Sequence, residues 1–109
     1  MTKEQVGKLE LMVLLALLRV GRDAYGVPIA QEIQDIGNNV SIGSVYAALD
    51  RLERKGYVSS SLGDPSPERG GRAKKYFQIT AKGMHEVQDS RRMLTSLWRN
   101  LSGVKGELA

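Results

Sequence analysis

The sequence predicts a mainly α-helical domain with one β-hairpin, a winged helix-turn-helix followed by a C-terminal helix. Three observations predict it. Three segments with helical apolar spacing fill the first half of the chain. Two short strand-like segments then flank a stretch rich in glycine and proline. A last helical segment carries more apolar positions than one core contact needs. Helix-turn-helix followed by a hairpin is the winged-helix order. With 109 residues the chain is read as one compact unit. Residues 1–80 form its winged helix-turn-helix and residues 81–109 a C-terminal dimerisation helix.

The elements follow from local signals. Leu9, Met12, Val13, Ala16, Leu17 and Val20 recur at three and four residues, the helical period, and Gly21 marks a stop. Leu11, Leu14, Leu15 and Leu18 fill most of the remaining faces, so this helix is expected to be covered on more than one side. Pro28 suits a first helical turn, Ala30, Ile33 and Ile36 mark one face, and Gly37-Asn38-Asn39 ends the second helix. Ser41 caps a third helix that runs to about Lys55, with Gly56 as its stop and Ile42, Val45, Leu49 and Leu52 as its buried stripe. "YVSSSL" and "KYFQIT" read as strands, and the Gly63–Lys74 loop between them is long for a hairpin. Thr80 caps the last helix, which is expected to span about Ala81 to Leu101.

Charge locates the functional surface. Net charge is +4, from 16 Lys and Arg against 12 Asp and Glu. Asp50 to Lys82 holds eight basic and four acidic residues, so the whole excess lies in this third of the chain and most of it in the third helix and the hairpin. Clustering of this kind marks a polyanion-binding face. The chain has no cysteine, which excludes disulfides, thiolate metal sites and a cysteine nucleophile. His85 is the single histidine, with no ligand or nucleophile partner in the pattern, so neither a metal nor a cofactor is expected and no catalytic residue is assigned. Leu11 to Leu18 is the longest apolar run, far below the ~20 residues of a membrane helix. The N-terminus lacks the pattern of a secretory signal, and the expectation is a cytoplasmic protein without membrane contact.

Away from its apolar stripe the third helix offers Ser41, Gly43, Ser44, Tyr46, Ala47, Arg51 and Arg54. Small residues near a helix N-terminus let it enter a major groove about 12 Å wide. Tyr46 has a hydroxyl to offer a phosphate, or sits at the edge of the core. In the loop, Gly70-Gly71 permits a close backbone approach, and Arg72, Lys74 and Lys75 can neutralise phosphates. Arg72, following the glycines, is the best placed to reach a minor groove. The candidate DNA-binding set is therefore Ser41, Gly43, Ser44, Tyr46, Ala47, Arg51, Arg54, Gly71, Arg72, Lys74 and Lys75. The blander alternatives are an ordinary capped amphipathic helix and a charged hairpin that keeps a sheet edge soluble. A protein-interaction module binding an acidic partner would use the same basic face.

The last helix carries two overlapping stripes, one of Met84, Val87, Leu94, Trp98 and Leu101 and one of Met93, Leu97 and Val104. One stripe serves the domain's own core; the second calls for a partner, plausibly another copy of the helix. Leu11, Leu14, Leu15, Leu94, Leu97, Trp98 and Leu101 are assigned to this dimer interface. Trp98, with Leu15, is also the candidate wall of a pocket for a flat aromatic effector.

"SIGSVYAALDRLERKGYV" followed by "GGRAKKYFQITAKG" resembles the PadR family of bacterial transcriptional regulators. The resemblance rests on Ser41, Gly43, Tyr46, Ala48, Leu49, Arg51, Leu52, Glu53, Gly56, Gly71, Arg72, Lys75, Tyr76, Thr80 and Gly83. "LELMVLLALL" and "AYGVPIAQEI" look like the family's first two helices, with Tyr25 and Gly26 at their junction. Many members carry threonine at Ser44 and proline at Ala47, both on the proposed DNA face. The single terminal helix resembles the short form of the family. The resemblance implies a homodimer on a two-fold symmetric operator in double-stranded DNA, usually acting as a repressor. In some members a phenolic acid or another hydrophobic compound releases the DNA.

Overall fold

A computed structural model describes residues 6–63 and 74–101. Its elements are α1 (Lys8–Val20), α2 (Gly26–Asp35), α3 (Ile42–Arg54), β1 (Val58–Leu62), β2 (Lys75–Ile79) and α4 (Ala81–Trp98). The order is the one the apolar spacing predicts. Helices α1, α2 and α3 pack on one another around Val13, Leu14, Leu17, Ile29, Ile33, Val45, Leu49 and Leu52.

The caps are the predicted ones. The Ser41 hydroxyl accepts the N–H of Ser44 at 3.1 Å and the Thr80 hydroxyl accepts that of Gly83 at 3.1 Å, each satisfying a donor that a helix start leaves open. After α3 the chain turns at Gly56, whose φ of 85° is one that side chains with a Cβ rarely adopt. The turn brings Thr80 within hydrogen-bond distance of the Gly56 and Tyr57 carbonyls, at 2.7 and 3.0 Å. One residue thus starts α4 and ties it to the end of α3.

β1 and β2 pair antiparallel, with Val58 opposite Ile79 and Leu62 opposite Lys75. Val58 and Phe77 bury their side chains on the inner face, while Ser59 and Gln78 alternate outward. The Phe77 N–H donates to the Ala24 carbonyl at 2.8 Å, so the α1–α2 connection lies along the hairpin's other edge and covers it. Gly71, Arg72 and Val104 lie outside the described residues.

Several sequence expectations are corrected. Ile36 is 71% exposed, and Ile29 takes its place in the core stripe of α2 with Ala30 and Ile33. Ile42 is 42% exposed; as the first residue of α3 it precedes the turn that meets the core, and Ala48 completes the buried stripe instead. α4 ends at Trp98 rather than Leu101, and Asn100 leaves the helix with φ 61°. The buried residues of α4, Gly83, Glu86 and Val87, all lie in its first half. Val87 is buried there, whereas every residue from Arg91 to Leu101 is exposed, Leu94 and Trp98 included.

Candidate nucleic-acid interface

α3 has two unlike sides. Val45, Ala48, Leu49 and Leu52 are buried, and Gly43, Ser44, Tyr46, Ala47, Asp50 and Arg54 are exposed. The open side is nearly flat at its N-terminal end because Gly43, Ser44 and Ala47 carry almost no side chain. Ser41 both caps the helix and donates its hydroxyl to Ser44 Oγ at 2.9 Å. The Tyr46 ring lies over the start of α2, so tightly that a Cβ on Gly26 would stand 2.3 Å from Tyr46 Cζ. That contact sets how α2 and α3 cross. At the far end Arg54 pairs with Asp50 at 3.1 Å. Both side chains are largely exposed, so this pair is weak and readily exchanged for a phosphate.

Two carboxylates hold the flanks of α3. Glu10, on α1, is buried, and its carboxylate accepts hydrogen bonds from Arg51 Nε at 2.8 Å and Lys55 Nζ at 3.2 Å. It also accepts the Gly7 N–H at 3.2 Å, closing the first turn of α1. Burial pushes the Glu10 carboxyl up, but Arg51, the Gly7 N–H and Lys55 outweigh it and hold it below the usual carboxylate range. On the opposite flank Glu53 accepts the Ser60 hydroxyl of β1 and pairs with Lys75 of β2 at 3.2 Å. The Ser60 hydrogen bond lowers its pKa most, burial opposes that, and Lys75 adds to the lowering. Glu53 thereby ties α3 to both strands of the hairpin.

At the loop end of the hairpin strands Lys74 Nζ stands 4.1 Å above the Tyr25 ring, a cation–π contact, and Tyr25 meets Tyr76 edge to face with ring centroids 6.0 Å apart. The structure thus brings Ser41, Gly43, Ser44, Tyr46, Ala47 and Arg54 onto the open side of α3. Arg51 lies on its α1 flank, and Lys74 and Lys75 lie at the loop end of the hairpin strands. Glu10, Glu53 and Tyr25 organise this surface without having been predicted to. Glu10 left a signal: with Val13, Leu14 and Leu17 it falls on the core face of α1, where a carboxylate needs a cation. Among the described residues no group of three or more His, Cys, Asp or Glu side chains is placed to hold a metal ion.

The expected dimer residues divide. Leu15, Leu94, Leu97, Trp98 and Leu101 are exposed and Leu11 is half-buried. Leu14 is fully buried among α1, α2 and α3 and belongs to the protomer's own core: it stands 100° around α1 from Leu15. The apolar groove between α1 and α4 is walled by Val6, Leu11, Met93 and Leu94. Leu15 and Trp98, the predicted pocket residues, do not line it.

Residues 14–89 match the transcriptional regulator PadR-like family. The chain belongs to that family. PadR-like proteins are DNA-binding transcriptional regulators and not enzymes, which sets a catalytic reading of this surface aside. A transcriptional regulator of Mycobacterium tuberculosis, Rv3488, is 30% identical over 87 residues, 80% of this chain and 78% of the relative. An uncharacterized protein of Lysinibacillus sphaericus is 36% identical over 80 residues, 71% of this chain and 69% of the relative. Among solved structures, a PadR family transcription regulator of Clostridium difficile R20291 superposes with TM-score 0.70 at 22% identity, covering 84% of this chain and 91% of the other. A PadR-like transcriptional regulator of Bacillus cereus gives TM-score 0.66 at 24% identity and 82% coverage of both chains. At these identities the structural likeness establishes the winged-helix fold of this PadR-like chain. Its contacts with DNA must be argued from its own residues.

Proposed function

We propose that this PadR-like regulator is a homodimeric repressor that binds a two-fold symmetric operator in double-stranded DNA. The observation that carries the reading is the open side of α3. Gly43, Ser44 and Ala47 leave room for base edges, and Arg54 waits in a weak, exposed ion pair. Tyr46 flanks this strip as a hydroxyl donor to phosphate, and Ser41 caps the start of the helix there. Lys74 stands where the described part of the hairpin ends, and the sequence adds Gly71 and Arg72 to the proposed contacts. The exposed apolar half of α4, within residues 81–109, meets its equivalent in a second copy, and Leu15 joins it there. Leu94, Leu97, Trp98 and Leu101 place four large apolar side chains on a surface that water would otherwise wet. A small aromatic effector would then find Trp98 and Leu15 at the seam between copies. No helix among the described residues is long and apolar enough to cross a membrane, in keeping with work on DNA in the cytoplasm.

Selection of bound duplexes from a random pool tests the reading. The expected product is a palindromic site with half-site centres about 34–36 Å apart, one turn of DNA. Failure to enrich any sequence, with binding instead to acidic proteins, would favour the protein-interaction alternative. Transcription from a template bearing the selected site should fall when the protein is added. Quenching of Trp98 fluorescence by planar aromatics, with weaker operator binding, is the expected sign of an effector.

A further inference from the structure

Glu10 is the one acidic side chain of α1, and it is buried against two cations of α3. One carboxylate on this flank of α3 accepts from both Arg51 and Lys55. Glu53 and Lys75, on the other flank, cancel one to one. Arg51 spends a single donor on Glu10, its Nε–H. Its terminal amino groups make no hydrogen bond among the described residues, and the side chain remains 42% exposed. It lies two helical turns from Ser44 on the same flank of α3, a rise of about 10 Å. A guanidinium held by Nε still presents a rigid two-donor edge, the geometry that fits a phosphate. An unheld arginine would have to order several side-chain rotors on binding.

We propose that Glu10 is a positioning residue of the DNA interface: it grips Arg51 by Nε and so presents the terminal amino groups of the guanidinium to a backbone phosphate of the target duplex. The inference rests on the DNA reading of α3. It separates the two cations of the Glu10 cluster by chemistry. Lys55 is a point charge and serves to balance the buried carboxylate. Arg51 has a second edge and is available to both partners at once.

The test is fluorescence anisotropy of the full chain on the selected duplex across a range of salt, well below each variant's unfolding temperature. Arg51→Ala should weaken binding about tenfold, the loss expected for one charge-assisted contact, and should lower the salt slope by about one phosphate. Arg51→Lys keeps the charge but carries its donors on one nitrogen, without the second edge of a guanidinium, so it should bind more weakly than wild type. Glu10→Gln should also lose affinity although it removes no positive charge. The double variant Glu10→Gln/Arg51→Ala should be no weaker than Arg51→Ala alone, because the two residues act through one contact. Wild-type affinity in Arg51→Lys overturns the proposal, and this arm decides it if Glu10→Gln does not fold. Additive losses in the double variant also overturn it, since Glu10 would then act through the fold. If Arg51→Ala binds normally while Lys74→Ala does not, DNA binding stands and the proposal falls. If the wild-type protein binds no duplex, the DNA reading falls and the proposal goes with it.

Discussion

Glu10 and Glu53 show how single side chains set the working surface. Their carboxyls are held below the ordinary value of 4.5 in the folded protein, so each stabilises the fold fully above that pH. That contribution is lost as pH falls through the lower, folded values, when the native carboxylates take up protons. Thermal unfolding followed by circular dichroism should therefore show Glu10→Gln melting below wild type at pH 7, with the gap closing toward pH 3. A gap that stays constant on acidification would mean that the Glu10 charge contributes nothing. Lys74 and Lys75, adjacent in sequence, should separate in a second measurement. Lys75 is neutralised by Glu53 at 3.2 Å, whereas Lys74 rests on the face of Tyr25, which carries no net charge. Lys74→Ala should weaken binding to all duplexes and reduce the salt slope by about one. Lys75→Ala should change the slope less and act through a looser hairpin. Equal slopes for the two variants would contradict this assignment.

The start of α4 is where elements depend on one another most closely. Thr80 caps the helix and contacts the Gly56 and Tyr57 carbonyls. Gly83 follows one turn later, and a Cβ there would stand 2.2 Å from the Tyr57 carbonyl oxygen, a backbone atom with little freedom to retreat. Lys82 Nζ closes the same corner by donating to the Lys55 carbonyl at 2.6 Å. Thr80→Ala should cost about 1 kcal/mol, the usual loss of a helix cap. Gly83→Ala should cost about 1–3 kcal/mol by overpacking. Denaturant midpoints measure both, and a Gly83→Ala midpoint equal to wild type would show that α4 is not anchored here. The corner was half legible beforehand. Cap preference points to Thr80, and family resemblance points to Gly83, but nothing local says that Tyr57 is what Gly83 meets.

At the scale of the whole molecule, a compact winged helix carries a helix that outruns it. α4 has 18 residues, about 27 Å of helix, and its second half is exposed on every side. Since no residue from Arg91 to Leu101 is buried in the protomer core, charges at Leu97 and Leu101 should break the proposed association without unfolding the domain. Leu97→Glu with Leu101→Glu is expected to sediment as a monomer with near-native helical content, and to bind the selected palindrome at least tenfold more weakly through lost bivalency. A wild-type dimer mass in this variant would sink the proposed interface.

Much of this was readable from the chain alone, and the reason is physical. Helix period, caps and strand alternation are properties of neighbouring residues. The sequence therefore determined the element order, the Ser41 and Thr80 caps and most of the charge excess across α3 and the hairpin. The tertiary structure decided what depends on residues far apart in the chain. Arg51 lies 41 positions from Glu10, and Lys75 lies 22 from Glu53, so whether a cation is paired or open to a polyanion cannot be read from its surroundings in sequence. The same holds for Leu14 and Leu15. They are adjacent and alike, yet one is sealed in the core and the other exposed, because only the packing of α1 against α2 and α3 selects the side of the helix that faces inward.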